Sequence, residues 1–283
     1  MIEVLSSGPL LTVQDLGRRG YRNVGVATSG AFDQRAHRFA NAVVGNSAEA
    51  ATLEITLGGL SVRTDRAVTI ALAGARTPVR TSAGAAAVDF GRPVTLPAGC
   101  VLMLGTPPSG VRTYLAVRGG FDVPSVLGSR SIDTLSALGG RALGPGDRLP
   151  VGDLLAGDPL DVPLPPLSEA GPVRVHPGPQ RDWFTEPAWP TLLGTSWLVR
   201  AASNRVGLRL DGPRLERRRP DELPSAATLP GTIQVPPDGR PIVLGPDGPV
   251  TGGYPVIAVV HSTELSRLAQ LRPGDAFALA AVC

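Results

Sequence analysis

The sequence predicts an all-β protein with one or two short helices, and three observations support this class. Short apolar segments rich in β-branched residues lie between turn residues, and turn sequences recur about every ten residues. Glycine and proline are abundant, with 35 and 29 residues among 283. Hydrophobic residues make up 42% of the chain, which excludes wholesale disorder. The pattern is typical of a β-sandwich or β-barrel.

Predicted strands in the first half of the chain are short and regularly spaced. Each is apolar, and Gly, Pro or Asp stands at its ends. Turn sequences such as Pro97-Ala98-Gly99 and Pro145-Gly146-Asp147 separate them, and Pro237-Asp238-Gly239 continues the pattern in the second half. We expect strands over residues 60–62, 68–73, 94–96, 101–104 and 113–117.

Two segments depart from the strand pattern and predict helices. Over residues 31–44 the apolar side chains recur at helical spacing, with Ser29 as the expected cap and Gly45 or Asn46 as the expected left-handed stop. A shorter helix is expected over residues 263–271, closed by Arg272-Pro273-Gly274.

A proline-rich stretch over residues 159–168 predicts a semi-rigid linker and a domain boundary. We therefore expect one domain over residues 1–160 and a second over residues 169–283. Each half holds strands and one short helix. The halves also share turn sequences, LPAGCVL and LRPGDAF, which suggests two similar β-barrel units.

The basic residues are informative because all 27 are arginine and the chain contains no lysine; the formal net charge is +3. This excludes a Schiff-base lysine, a P-loop lysine and a lysine that could carry biotin. A bound phosphate or carboxylate must be held by arginine, backbone N–H groups or a metal. Aromatic residues are only 4%, and we expect no nucleic-acid partner.

The cysteine content favours a reducing, cytoplasmic compartment. Cys100 and Cys283 form neither a disulfide framework nor a CxxC pair. The N-terminus lacks the features of a signal peptide, and no apolar run reaches membrane-spanning length, so no membrane association is expected. The three histidines lack ligand-like spacing, and no metal site is expected.

Two groups of polar residues in the first half are candidates for chemistry. Residues 8–33 place Gln14, Asp15, Arg18, Ser29 and Asp33 between glycines just before the predicted helix, which is an arrangement that can hold an anion. The alternative is a turn-rich surface with solvated arginines.

The second group centres on the glutamate of ATLEITLGGL at position 54. Its apolar neighbours indicate burial, either as a catalytic base or in a structural pair with an arginine.

The second half holds a further candidate group. Thr251-Gly252-Gly253-Tyr254 offers a hydroxyl and backbone N–H groups suited to an oxyanion. Arg205 can bind a carboxylate through two hydrogen bonds, and Gln234 can donate further hydrogen bonds. Because barrel loops collect at one end, we expect Thr251, Gly253, Tyr254, Arg205 and Gln234 to converge on one concave site. The alternative is that these motifs are ordinary hairpin turns.

These motifs resemble one family in order along nearly the whole chain. The blocks are GPLLTVQDLGRRGYRNVGVATSGAFD, FANAVVGN, ATLEITLGG, YLAVRGGFDVPSVLGSRS, HPGPQRDWF, SNRVGLRL, GTIQVPPDGRPIVL and TGGYP. They are similar to the biotin-dependent carboxyltransferase-like family, also called allophanate hydrolase subunit 2, which includes the subunit of 5-oxoprolinase designated C. The resemblance implies tandem cyclophilin-like β-barrel domains. It also implies a smaller partner resembling allophanate hydrolase subunit 1, and hence a hetero-oligomer.

The residue chemistry and the family blocks together give the candidate site. We expect three catalytic carboxylates, Asp15, Asp33 and Glu54. Expected substrate-binding residues are Gln14, Arg18, Ser29, Arg130, Arg205, Gln234, Thr251, Gly253 and Tyr254.

The chain departs from the family pattern in three places. It has Ala226-Ala227 where the family has Glu-Gly, and Pro249-Val250 where the family has Gln-Thr. Val206 and Leu208 stand where the family often has Met and Tyr. Activity or specificity depends on these positions if the replaced Glu and Gln contact substrate.

The resemblance implies three functions, of which the first is favoured. In this function the chain is a subunit of an ATP-dependent 5-oxoprolinase, with ATP and Mg²⁺ required and a small cyclic amide as substrate. In the second it is half of a carboxyltransferase acting on urea or another small amide, with biotin on a separate carrier because the chain has no lysine. In the third it is a non-enzymatic regulator that antagonises an inhibitor of a histidine kinase.

Overall fold

The computed structural model describes residues 1–83, 88–161, 171–219, 221 and 223–282. Most of the predicted linker, residues 162–168, lies outside the described residues. The chain divides into two compact units. The first comprises Met1–Arg18 and Ser29–Leu167, and the second comprises Arg19–Thr28 and Ser168–Cys283. Residues 19–28 thus belong with the second unit, although they stand inside the sequence of the first.

The first unit is built from two five-stranded antiparallel sheets. One has the order β10-β1-β4-β8-β6 and the other the order β2-β3-β9-β5-β7. Leu11 and Val13 of β2 and Ile2 and Val4 of β1 all belong to one buried core, to which both sheets contribute. The strands are β1 (Ile2–Ser7), β2 (Leu10–Gln14), β3 (Thr52–Thr56), β4 (Leu60–Thr64), β5 (Val68–Gly74), β6 (Val79–Thr81), β7 (Val94–Leu96), β8 (Val101–Leu104), β9 (Arg112–Val117) and β10 (Arg148–Leu149).

Helix α1 (Gln34–Val43) packs against β5 and β9. Ala40 and Val43 of the helix meet Ala71, Ala73 and Ala116 of the strands in a second buried cluster. Small side chains on the strands allow the helix to approach closely. The Thr52 and Glu54 side chains alternate with Leu53 and Ile55 of the main core, so the polar residues of β3 lie on the opposite face of the sheet from that core.

The predicted cap of α1 is wrong. Asp33 is the N-cap, and its side chain accepts a hydrogen bond from Ala36 N at 3.0 Å. Ser29 instead has a left-handed backbone, with φ 53°. The predicted stop is confirmed, because Gly45 follows the C-cap Val44 with φ 72°.

The second unit centres on one eight-stranded sheet with the order β19-β12-β13-β16-β15-β18-β11-β20. The two end strands are consecutive in the chain and only one residue apart, so the sheet is nearly a closed barrel. β14 and β17 form a separate antiparallel pair. The strands are β11 (Val173–Pro177), β12 (Trp197–Val199), β13 (Gly207–Asp211), β14 (Ala226–Ala227), β15 (Thr232–Gln234), β16 (Ile242–Leu244), β17 (Thr251–Gly252), β18 (Val256–Val260), β19 (Ala276–Phe277) and β20 (Leu279–Ala281).

The helices of the second unit are short. They are α2 (Ala188–Gly194) and α3 (Leu265–Leu268), with 3-10 turns at Arg181–Trp183 and Ser262–Glu264; a third 3-10 turn spans Arg22–Val24. The helix predicted over residues 263–271 is therefore shorter than expected and begins as a 3-10 turn. The predicted all-β class is confirmed, as are the five predicted strands to within two residues at either end. No helix among the described residues is long and apolar enough to cross a membrane.

Candidate functional site

Asp15 is a buried anchor for a loop of the first unit. Its carboxylate accepts hydrogen bonds from the Ser129 and Ser131 hydroxyls, each at 2.6 Å, and from the backbone N–H groups of Arg130 at 2.6 Å and Gly17 at 2.8 Å. Four donors hold the charged form of a carboxylate in place. Asp15 therefore fixes the 129–131 segment to the end of β2, and its predicted catalytic role stays a prediction.

Arg18 and Arg130 are held in the same region by main-chain carbonyl groups. The fully buried Arg18 donates from Nε to Val126 O at 3.1 Å, and its Nη2 atom donates to Ser131 O. Arg130 donates to Val123 O at 2.9 Å and to the Asp122 carboxylate at 2.9 Å. Both arginines thus tie loops together, and their predicted binding of substrate stays a prediction.

Gln14 and Ser29 meet at one carbonyl group. Gln14 Nε2 donates to Ile132 O at 2.9 Å and to Thr12 Oγ1 at 3.1 Å, while Ser29 Oγ donates to Ile132 O at 3.3 Å. Within the residues that the structure describes, the buried Gln14 Oε1 atom accepts no hydrogen bond. The structure therefore brings these two predicted ligands together. An unpaired buried acceptor is uncommon, because it loses its hydration without compensation.

Glu54 lies beneath the segment that leads into α1 and is 1% exposed. Its Oε2 atom accepts hydrogen bonds from the Tyr114 hydroxyl at 2.6 Å and from Phe32 N at 2.9 Å. Arg112 Nε lies 3.3 Å from the other carboxylate oxygen. Burial, together with the charges of Glu54 and Asp33, raises the pKa of Tyr114 well above its ordinary value. The structural pair with an arginine, one of the two expectations, is thus present.

Asp33 and His37 support the start of α1. Asp33 N donates to the Tyr114 hydroxyl oxygen at 2.8 Å, in addition to the cap described above. His37 is fully buried, with Nδ1 2.9 Å from Thr52 Oγ1 and Nε2 3.1 Å from Ala48 O. Since a carbonyl oxygen only accepts, Nε2 carries the proton. Burial lowers the pKa of His37 to about 4, so the ring is neutral near pH 7.

Arg205 forms a buried ion pair inside the second unit. Its Nε and Nη2 atoms each lie 2.8 Å from the Asp247 carboxylate, and both side chains are fully buried. The predicted two-point binding of a carboxylate is therefore made to a residue of the protein. Arg205 is fully buried and Tyr254 is exposed, and the predicted convergence of the two on one concave site stays a prediction.

The other four predicted ligands lie near one another. Gln234 Nε2 donates to Tyr254 O at 3.3 Å and lies against Gly252, where a Cβ atom would come within 2.6 Å of it. Thr251 is exposed and pairs with Ala227 across the β14–β17 ribbon. The Ala226-Ala227 departure from the family pattern therefore stands on the strand that pairs with Thr251-Gly252. Gly253 links this ribbon to Tyr254.

Tyr254 lines a cavity of about 200 Å³ that carries an excess of positive charge. Arg217 lies over the Tyr254 ring, with its guanidinium carbon 5.9 Å from the ring centre. Within the described part of the chain, the Arg200 and Arg209 guanidinium groups form no hydrogen bond or ion pair, so both are available to an anion. The lining residues are Arg200, Arg209, Leu210, Pro236, Asp238, Arg240, Pro241, Ile242 and Tyr254.

Sequence reasoning missed the three arginines of this cavity. Arg209 alternates with the buried Leu208 and Leu210 along β13, and this alternation points it away from the core. Arg200 follows β12 and its backbone N–H group donates to Arg209 O at 2.9 Å. Arg240 pairs with Asp211. Alternation could have marked Arg209 as outward, but the pairing of strands distant in sequence was needed to bring the three together.

The fold is that of a mainly β protein, and its second unit carries an arginine-lined cavity. Against that background, a family described as "Carboxyltransferase domain, subdomain A and B" matches residues 24–281. The chain belongs to this carboxyltransferase-domain family.

Individual relatives agree with this assignment. The chain is 40% identical to the 5-oxoprolinase subunit designated C in Escherichia coli (strain K12) over 278 residues, which cover 97% of this chain and 89% of that protein. It is 32% identical to the equivalent 5-oxoprolinase subunit of Haemophilus influenzae, over 100% of this chain and 91% of that protein. The crystal structure of the Kluyveromyces lactis urea carboxylase superposes with a TM-score of 0.92 at 33% identity. That match covers 100% of this chain and 27% of the yeast chain.

Proposed function

We propose that the chain is a subunit of an ATP-dependent 5-oxoprolinase that opens the 5-oxoproline lactam to glutamate together with a smaller partner subunit. One observation carries the proposal: the similarity extends over nearly all of this chain and nearly all of two proteins named as 5-oxoprolinase subunits. The urea carboxylase relative is instead much longer, and this chain spans 27% of it.

The reaction consumes one ATP and two water molecules. ATP transfers its terminal phosphoryl group to the lactam oxygen and leaves as ADP, and water adds to the activated carbon. The C–N bond then breaks, the nitrogen takes a proton, and a glutamyl phosphate results. The second water releases phosphate and glutamate. Each stage places negative charge on oxygen, which nearby cationic donors stabilise.

In this proposal the arginine-lined cavity binds the carboxylate of 5-oxoproline. The Arg200 and Arg209 guanidinium groups donate to the carboxylate oxygens, and the Tyr254 hydroxyl donates a further hydrogen bond. A volume of about 200 Å³ suits a small organic acid rather than a larger ligand. Arg240 is held by Asp211 and adds positive charge at the rim.

ATP is proposed as co-substrate with Mg²⁺. No cluster of three or more His, Cys, Asp or Glu residues able to hold a metal occurs among the residues that the structure describes. The ion would therefore be bound chiefly by the phosphate oxygens, as is usual for magnesium. We also propose a smaller partner resembling allophanate hydrolase subunit 1, and a cytoplasmic location in which the buried Cys100 thiol stays reduced.

Co-expression with the smaller subunit tests the proposal. The purified complex is incubated with 5-oxoproline and ATP, and glutamate and phosphate are measured. We expect ATP-dependent glutamate formation by the complex and little by the isolated chain. Arg209→Gln should lower kcat/KM about 10- to 100-fold, mainly through KM. Arg148→Gln, an exposed arginine of the first unit, is the charge-matched control. Full turnover by the isolated chain would contradict the dependence on a partner.

A second candidate function is supported by the structural likeness to urea carboxylase, which covers all of this chain with a TM-score of 0.92. In this function the chain moves a carboxyl group from carboxybiotin to urea or another small amide. Since the chain has no lysine, biotin is carried by a separate protein. Assay of the same complex with carboxybiotin and urea distinguishes the two: carboxyl transfer without 5-oxoproline turnover would favour this function.

A further inference from the structure

The second unit contains a larger cavity of about 600 Å³ that the proposed function does not use. Its floor is apolar, with Phe184 and Ile257 buried and Trp189 half-buried. Its rim carries four charged side chains. The lining residues are Gly178, Pro179, Arg181, Asp182, Phe184, Thr185, Glu186, Trp189, Arg218 and Ile257.

The rim charges are balanced and are not neutralised by one another. Arg181 and Arg218 are cationic, and Asp182 and Glu186 are anionic; all four are exposed. Among the described residues, none of these four side chains forms a hydrogen bond or an ion pair. Arg181 lies over the Trp189 ring, 4.7 Å from its centre, which orients its guanidinium group. Charges of both signs therefore remain available to a ligand.

The backbone around the cavity is fixed by hydrogen bonds. Arg218 N donates to Trp183 O at 2.8 Å, and Thr185 N donates to Glu216 O at 3.0 Å. At Gly178 a Cβ atom would come within 2.3 Å of Val256 O, so only glycine allows this close approach to β18. The segments that carry the rim charges are thus positioned before any ligand binds, which lowers the entropy lost on binding.

We propose that this cavity binds a zwitterionic α-amino acid, whose ammonium group pairs with Asp182 and Glu186 and whose carboxylate pairs with Arg181 and Arg218. The two rim carboxylates disfavour a polyanion such as the triphosphate of ATP, since like charges would face one another. A ligand with both charges satisfies the whole rim. Its aliphatic chain would lie on the apolar floor.

The chemistry of the proposed reaction selects one amino acid, and this choice rests on the proposed function. The nitrogen of 5-oxoproline is an uncharged lactam N–H, whereas the nitrogen of glutamate is an ammonium group. A cavity with two unpaired carboxylates distinguishes these two compounds by the charge on that nitrogen. This cavity, separate from the arginine-lined cavity in which the reaction is proposed, would therefore bind the released product glutamate in preference to 5-oxoproline.

Tryptophan fluorescence of the purified full chain tests this inference. All three tryptophans lie between residues 183 and 197, and Trp189 lines the cavity. The chain is titrated with L-glutamate, 5-oxoproline and N-acetyl-L-glutamate, which lacks the ammonium group. We expect a saturable change with glutamate alone.

Glu186→Gln and Arg218→Gln should each weaken glutamate binding about tenfold or more, as expected for loss of one charged hydrogen bond. Glu49→Gln and Arg148→Gln, exposed residues of the first unit, are the matched controls.

The outcomes separate this inference from the proposed function. Equal responses to glutamate and N-acetyl-L-glutamate would overturn it, as would unchanged affinity in both cavity variants or no saturable response. Active 5-oxoproline turnover with no glutamate binding would refute the product site alone. Glutamate binding that the two variants weaken would support the site even if the complex failed to turn over 5-oxoproline.

Discussion

At the scale of single residues, buried polar side chains in this protein mostly hold backbone segments in place. Asp15 accepts hydrogen bonds from two backbone N–H groups and two hydroxyls, and Glu54 accepts one from Phe32 N in the segment before α1. Arg205 and Asp247 form a fully buried ion pair inside the second unit. Burying a charge without a partner is costly, so each such residue is strongly sensitive to the loss of its neighbour.

Removing one member of the buried Arg205–Asp247 pair should destabilise the second unit. We expect Asp247→Ala to lower the free energy of unfolding by about 3–5 kcal/mol, because the buried Arg205 guanidinium loses both of its hydrogen bonds to the Asp247 carboxylate. Urea unfolding followed by tryptophan fluorescence measures this, since every tryptophan lies in the second unit. The exposed Glu216→Ala serves as control and should change little. A loss below about 1 kcal/mol for Asp247→Ala would show that the pair contributes little.

The neutral His37 ring should make stability depend on pH. Its pKa is about 4 in the folded protein, against 6.5 when exposed. As the pH falls from 6.5 to 4, the unfolded chain takes up a proton that the folded chain does not, so stability decreases. This contribution amounts to about 3 kcal/mol over the whole interval.

Comparison of variants separates the contribution of His37 to the pH dependence of stability from the contribution of the carboxylates. Urea unfolding is followed by circular dichroism between about pH 4 and pH 7, the range that spans this titration. The free energy of unfolding of His37→Gln should decrease less steeply with acidification than that of wild type. His176→Gln, an exposed histidine, should keep the wild-type slope. Identical slopes for His37→Gln and wild type would contradict the assigned pKa.

At the scale of secondary-structure elements, two substitutions of Asp33 distinguish its role as the N-cap of α1 from the effect of its negative charge. As the N-cap, its side chain satisfies Ala36 N, and asparagine can do the same. We expect Asp33→Ala to cost about 1 kcal/mol of stability and Asp33→Asn only a few tenths. Thermal unfolding by circular dichroism measures both. Equal destabilisation by the two variants would indicate that the negative charge, rather than the cap, matters for the fold.

The elements also show what the sequence could and could not predict. Short apolar, β-branched runs bounded by turn residues located five strands, because such runs are typical of strands with buried side chains. Helix α2 was missed, since it is seven residues long and contains Pro190.

For the candidate site, Gln234 and Tyr254 were expected together and do lie close to each other. The pairing of Arg205 with Asp247 could not be predicted, because the two residues are 42 positions apart in the sequence.

At the scale of the whole molecule, the division of the chain is not the simple cut that the proline-rich stretch suggests. Residues 19–28 pack within the second unit, where the Arg22 guanidinium donates to Thr228 O. A fragment of residues 169–283 therefore lacks part of its own unit. We expect that fragment to melt at a lower temperature alone than with a synthetic peptide of residues 19–28. The same peptide with Arg22→Ala is the control; no stabilisation by the native peptide would contradict this division.

Each unit pairs its own first and last strands. In the first unit Ile2 of β1 lies opposite Leu149 of β10, and in the second Val173 of β11 lies beside Leu279 of β20. Because paired strands are about 5 Å apart, Ile2 lies near Leu149 in the first unit, and Val173 lies near Leu279 in the second. In both sheets the last strand is, among the described residues, an edge strand whose only neighbour is the first strand of the same unit. Removal of β1 or of β11 therefore leaves the last strand of that unit without its hydrogen-bonded neighbour.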